Sequence, residues 1–109
     1  MERAGYENIT PSGLKRRLDA GDRPVLLDVR EPWEFQLARI EGSTFIPMSQ
    51  LEGRFTELDP ASETVVICHH GNRSSYVAQA LGRAGFEKVL NLEGGVDAYS
   101  FVDESVPPY

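Results

Sequence analysis

Three short runs constrain this chain more than any other feature: Val25-Leu26-Leu27-Asp28-Val29, Thr64-Val65-Val66-Ile67-Cys68 and Lys88-Val89-Leu90-Asn91-Leu92. Each is rich in β-branched residues and almost continuously apolar. A strand with one wet face alternates apolar and polar residues, whereas a strand covered on both faces need not, and such strands belong to parallel sheets. Helical patterns lie between the runs. Thr10-Pro11 reads as an N-cap and first-turn proline, Leu14 and Leu18 form a stripe, and Gly21 suits the stop, which predicts a helix over residues 11–20. A second helix is expected over residues 74–84, with Val77, Leu81 and Ala84 on one face and Gly85 beyond it. Weaker signals predict a short helix over 31–35, a brief strand at 45–46, helical turns from Ser49 to Leu58, and a last helix over 96–102. Strands alternating with helices imply an α/β domain with a mainly parallel sheet.

A length of 109 residues suffices for one sizeable core and not for two, so one domain spanning 1–109 is expected. No stretch is long and apolar enough to span a bilayer, which predicts no membrane partner. The formal net charge of -6 leaves no basic face to neutralise phosphates, and nucleic acid is excluded as the main partner on the same ground. Residues 1–6 show neither an apolar core nor a small-residue cleavage site, so a cytoplasmic location is the default expectation.

Because the chain has a single cysteine, an internal disulfide, a CxxC pair and a multi-cysteine zinc site are all impossible. Cys68 is therefore a buried structural thiol or a reagent. It opens the segment Cys68-His69-His70-Gly71-Asn72-Arg73-Ser74, a polar loop joining the carboxyl end of a buried strand to a helix. Open parallel sheets bind ligands at that edge. Consecutive N–H groups in such a loop can converge on one point, and the helix N-terminus adds about half a positive charge. That field favours a thiolate, the form in which cysteine is nucleophilic. Gly71 permits a positive φ or a close approach, Ser74 can cap the helix or donate to sulfur, and Arg73 adds a permanent cation.

Other residues are read against plainer roles. His69 and His70 can bind an anionic donor when protonated, or pack and cap. No metal is expected, because consecutive Cys68, His69 and His70 rarely aim at one ion and no other histidine exists. Asp28 and Arg30 end a strand on the same edge as Cys68 and can touch the pocket. An ion pair of Arg30 with Glu34 or Glu41 is the preferred reading. Trp33, Phe35 and Phe55 can rim an apolar mouth, but their spacing favours core packing.

The Cys68–Ser74 loop resembles the active-site loop of rhodanese sulfurtransferases, Cys-x-x-Gly-x-Arg-Ser. Three further segments match that family in order: Asp28-Val29-Arg30-Glu31-Pro32 with Glu34-Phe35, Arg39-Ile40-Glu41-Gly42-Ser43 with Ile46-Pro47, and Asn91-Leu92-Glu93-Gly94-Gly95-Val96-Asp97-Ala98-Tyr99. Arg39, Ser43 and Tyr99 stand where the family usually has histidine, alanine and tryptophan. The tail from Val102 to Tyr109 is similar to that of bacterial single-domain members. The resemblance implies a five-stranded, mainly parallel sheet flanked by helices on both faces. It also implies Cys68 as persulfide carrier, with His69, His70, Gly71, Asn72, Arg73 and Ser74 cradling the transferred sulfur.

On that reading a small sulfur-donor anion such as thiosulfate loads Cys68, and a thiol, cyanide or an acceptor protein unloads it. No cofactor is implied. A cysteine-dependent phosphatase also places a thiolate in an N–H cradle with an arginine. Those sites resemble Cys-x5-Arg, a wider loop than the four residues between Cys68 and Arg73. A non-catalytic binding module is the alternative from another class, since fold alone does not imply turnover.

Overall fold

A computed structural model describes residues 5–109; residues 1–4, part of the stretch read above for a leader, lie outside the described residues. The chain forms five strands, β1 (Glu7–Ile9), β2 (Val25–Asp28), β3 (Thr44–Phe45), β4 (Thr64–Ile67) and β5 (Val89–Leu92). They make one sheet in the order β1-β5-β4-β2-β3, with every pairing parallel. The helices are α1 (Pro11–Asp19), α2 (Pro32–Leu37), α3 (Leu51–Arg54), α4 (Asn72–Arg83) and α5 (Gly95–Tyr99). Single 3₁₀ turns at Met48–Gln50 and Phe55–Glu57 flank α3. Among the described residues no helix is long and apolar enough to cross a membrane.

The unbroken apolar runs follow from two covered faces. Successive side chains of a strand point to opposite sides. Leu26, Val65, Ile67, Leu90 and Leu92 accordingly pack with Leu14 of α1 and with Val96 and Tyr99 of α5. Leu27, Val66 and Val89 point the other way and pack with Val77, Ala78 and Leu81 of α4. Each such aliphatic side chain contributes roughly 1.5–3 kcal/mol relative to exposure, so a charge at Val66, in the central strand and fully buried, would break the fold.

Local signals explain the helix ends. The Thr10 hydroxyl accepts from the Gly13 N–H at 3.0 Å, as a capped α1 requires. Glu31 and Glu34 form a reciprocal capping box around Pro32 at the start of α2. The helix expected between Ser49 and Leu58 is instead one α turn between two 3₁₀ turns, because Gly53 weakens its middle and only Leu58 is buried there. The last helix stops at Tyr99 rather than Val102, its end tightened by i→i+3 bonds from Phe101 to Ala98 and from Val102 to Tyr99. The edge strand β1, Glu-Asn-Ile, carries no periodic pattern and is defined by its pairing with β5.

Candidate active site

Cys68 follows the last residue of β4, the central strand, and its side chain lies on the α4 face at 1% exposure. The backbone N–H of Gly71 donates to Sγ at 3.1 Å and that of Ser74 at 3.3 Å. The Ser74 hydroxyl oxygen lies 3.3 Å from the same sulfur. Cys68, Gly71 and Ser74 are thus brought together, with the first turn of the twelve-residue α4 directed at the sulfur. Main-chain donors and the positive helix end both favour negative charge there.

Two glycines make this loop. Gly71 caps α4 with φ of +96°, and a Cβ there would lie 3.2 Å from the Gly94 nitrogen and 3.4 Å from the Leu92 oxygen. Gly95, with φ of +62°, lets α5 press its first turn onto the loop: a Cβ would fall 2.3 Å from the Cys68 oxygen and 2.4 Å from the His69 oxygen. That contact is productive for hydrogen bonding. The Val96 and Asp97 N–H groups donate to those same two carbonyls at 2.8 and 3.0 Å, so the two peptides that follow the cysteine are held from behind by main chain.

The charged residues sort differently from the sequence expectation. Arg30 pairs with neither the Glu34 nor the Glu41 carboxylate. It binds Asp28 through Nε at 2.9 Å and Nη2 at 2.7 Å, with both side chains fully buried. The reason is local: residues two apart at a strand end share a face. Glu34 is taken instead by Arg73, whose two terminal nitrogens donate to its two oxygens at 2.6 and 2.8 Å. Those bonds outweigh burial and hold the Glu34 carboxyl down to about 2, and the same contact pushes Arg73 upward. Arg73 therefore makes no hydrogen bond to the sulfur; it borders a cleft with Val29, Glu31, Met48 and Ser49.

Tyr109 completes this cluster. Its hydroxyl accepts from Arg30 Nη1 at 2.8 Å and donates to Glu34 Oε2 at 2.8 Å, joining the Asp28–Arg30 pair to the Glu34–Arg73 pair. Burial raises the Tyr109 hydroxyl to about 12, so it remains a donor. Its ring stacks on His69 with centroids 4.1 Å apart, and His69 stacks on His70 at 3.9 Å. Trp33 is 60% exposed and meets Tyr109 edge-on, and Phe55 is 39% exposed, so neither is the core residue that its spacing predicted. Phe35 stacks on Phe45 beneath the Arg39 guanidinium.

Asn72 is exposed and starts α4, its carbonyl accepting from the Ser75 hydroxyl at 2.8 Å. His70 is largely exposed, with Nε2 3.8 Å from Asp97 Oδ2, while the Nε2 of His69 is enclosed and has no hydrogen-bond partner among the described residues. His69, His70 and Asp97 bring ligand atoms within 4.8 Å of one another, a grouping that depends on α5 and is invisible in the loop sequence. The two imidazoles lie face to face at an interplanar angle of 29°, so their in-plane lone pairs run side by side instead of converging. A chelate would require one ring to turn.

The profile of the Rhodanese-like domain family matches residues 10–101. The chain belongs to that family. Among curated rhodanese-like relatives, the putative sulfur carrier protein YrkF of Bacillus subtilis is 36% identical over 88 residues, covering 81% of this chain and 48% of its own. The thiosulfate sulfurtransferase GlpE of Ectopseudomonas mendocina is 35% identical over 94 residues, covering 86% of this chain and 84% of its own. The crystal structure of a rhodanese-related protein from Thermoplasma volcanium superposes with a TM-score of 0.79 at 33% identity, covering 94% of this chain and 96% of that one. The chain spans about half the length, or less, of several curated relatives it matches.

Within this rhodanese-like fold the three departures noted above stay clear of the sulfur. Arg39 lies over the Phe35 ring, the Ser43 hydroxyl donates to the Ile40 carbonyl at 2.7 Å, and Tyr99 is a core residue at 1% exposure. Three residues of the site went unassigned in the sequence reading: Glu34 as the partner of Arg73, Tyr109 as the bridge, and Asn91 behind Ser74. Glu34 was read as paired but with Arg30, and Asn91 left a signal as a polar residue inside an otherwise apolar buried run.

Proposed function

We propose that the chain is a sulfurtransferase that moves a sulfane sulfur through a persulfide on Cys68. The observation that carries this reading is the pair of main-chain N–H groups, Gly71 and Ser74, directed at Cys68 Sγ at 3.1 and 3.3 Å in the loop that resembles the family's active site. Relatives named as a sulfurtransferase and a sulfur carrier support the reaction class. In the first step the Cys68 thiolate attacks the outer sulfur of thiosulfate. The new S–S bond forms as the old one breaks, and sulfite leaves with the bonding electron pair. In the second step cyanide, a thiol or an acceptor protein attacks the terminal sulfur and the thiolate departs, so two half-reactions alternate. Cys68 is the one cysteine of the chain, and discharge therefore needs an outside nucleophile.

The cradle stabilises negative charge on Cys68 at the start and end of each cycle, when it attacks and when it leaves. Arg73 supplies positive potential at the α4 end but is neutralised by Glu34, so its part is to set the loop's shape and to border the donor cleft. The test is intact-protein mass spectrometry after thiosulfate treatment and desalting, with Cys68→Ser as control and cyanide added afterwards. A one-sulfur adduct on the wild type alone, released as thiocyanate, is expected. No adduct with thiosulfate, polysulfide or a persulfidated thiol would overturn the proposal in favour of a binding module.

A further inference from the structure

Asn91 is the polar residue in the middle of β5, 6% exposed and on the same side of the strand as Val89. Its amide nitrogen lies 3.4 Å from the Gly71 carbonyl oxygen and 3.3 Å from Asn8 Oδ1. The Gly71 carbonyl can only accept, which fixes the amide with its nitrogen toward Gly71 and its oxygen toward Ser74. That oxygen is 2.5 Å from Ser74 Oγ. An amide oxygen can only accept, so the single hydroxyl proton of Ser74 is committed to Asn91. What Ser74 turns toward Cys68 Sγ, 3.3 Å away, is a lone pair.

We infer that Asn91 is a positioning residue for Cys68: by holding the Ser74 proton it makes Ser74 an acceptor for the thiol S–H and withholds a donor from the thiolate. This rests on the reading of Cys68 as nucleophile. When the thiol proton leaves to solvent, the sulfur becomes an acceptor, and Ser74 must turn its one proton away from Asn91 to serve it. Gly71 and Ser74 N–H groups favour the thiolate, while the Asn91–Ser74 relay opposes it. The same amide also ties β5 to the Gly71 carbonyl, so the relay is anchored to the loop whose donors it balances.

Removing the Asn91 acceptor frees the Ser74 hydroxyl to donate to the thiolate. A hydrogen bond to a charged group shifts such an equilibrium by about tenfold. Nucleophilicity falls as the thiolate becomes less basic, so the net gain in alkylation rate near neutral pH is about threefold. The experiment measures iodoacetamide alkylation of Cys68 by intact mass in wild type, Asn91→Ala, Ser74→Ala and the double variant. Asn91→Ala is expected to react about threefold faster than wild type, and to make no difference in the Ser74→Ala background. Asn91→Asp, which keeps an acceptor facing Ser74, is expected at or below the wild-type rate.

Equal rates for Asn91→Ala and wild type would overturn the inference. So would an equal acceleration with and without Ser74, which is what general loosening around Cys68 produces. Asn91→Leu, close in shape, takes the place of Asn91→Ala if the latter does not fold, with the same expected outcomes. Alkylation needs no sulfur donor, so a wild type that fails to load sulfur would remove the sulfurtransferase reading while leaving this comparison to stand or fall by itself.

Discussion

Arg73 grips Glu34 with two parallel hydrogen bonds of 2.6 and 2.8 Å, joining the first turn of α4 to α2. Glu34 is 4% exposed and accepts two further bonds, from the Glu31 N–H and the Tyr109 hydroxyl. A carboxylate so placed is costly to leave unpartnered. Arg73→Ala is expected to destabilise the fold by about 2 kcal/mol, and Arg73→Lys by less, because lysine keeps the charge and loses the fork. Urea unfolding of the two variants measures the difference.

The same contact gives the chain an acid limit. The Glu34 carboxyl is held at about 2 in the folded state against an ordinary 4.5, so the unfolded chain takes up the proton first. Its stabilisation is fully present above about 4.5 and is lost as pH falls toward about 2. The size is on the order of 3 kcal/mol. Urea midpoints measured across this range should fall more steeply in wild type than in Glu34→Gln, which is less stable near neutral pH and has no such carboxyl to protonate.

Tyr109→Phe removes the hydroxyl that links Arg30 to Glu34 and keeps the ring that stacks on His69. A loss of about 1–2 kcal/mol is expected, seen as a lower Tm. Tyr109→Ala removes the ring as well, and is expected to lower Tm further and to leave the His69 ring free to move on the NMR timescale.

Gly95→Ala puts a methyl group where the Cys68 and His69 carbonyl oxygens already stand, at 2.3 and 2.4 Å, on a backbone with φ of +62°. A loss of more than about 3 kcal/mol is expected, together with loss of sulfur loading. Gly42→Ala is the matched control, with φ of +86° but nothing within 4 Å of the added carbon, and should lose only about 1 kcal/mol with loading retained.

His70 is the exposed cation-capable side chain of the loop, with the Asp97 carboxylate 3.8 Å away. His70→Ala is expected to raise the apparent KM for thiosulfate by about two- to fivefold while kcat holds, as for a partly screened surface charge. A fall in kcat at constant KM would assign His70 to the chemistry instead.

The sheet and the cysteine loop were legible because they rest on short-range signals. Continuous apolar runs at Val25, Thr64 and Val89 mark strands covered twice, and Gly71 before a helical stripe marks the cap. The strand β1 was not, since three residues without alternation acquire their identity only by pairing with Leu90 to Leu92. The partners of the charges were the other gap. Arg30 is joined to Tyr109 across 79 positions and Arg73 to Glu34 across 39, and no local pattern carries pairings at that distance. The expectation for Trp33 and Phe55 erred because apolar spacing on a short helix or a single 3₁₀ turn cannot tell a core face from a rim.

Gly95 bears on how such a site can change over time. Apart from the Ser74 hydroxyl, the hydrogen bonds that hold the Cys68 sulfur and its loop come from polypeptide backbone: amides of Gly71 and Ser74 reach the sulfur, and amides of Val96 and Asp97 hold the Cys68 and His69 carbonyls. The side chains of His69, His70 and Asn72 supply none of those contacts. If the loop carries sulfur as proposed, substitutions at these three positions are expected to alter which donor is admitted while leaving those contacts in place. On the proposed sulfurtransferase reading, adaptation to a new sulfur source and preservation of the nucleophile fall on different residues of the same seven.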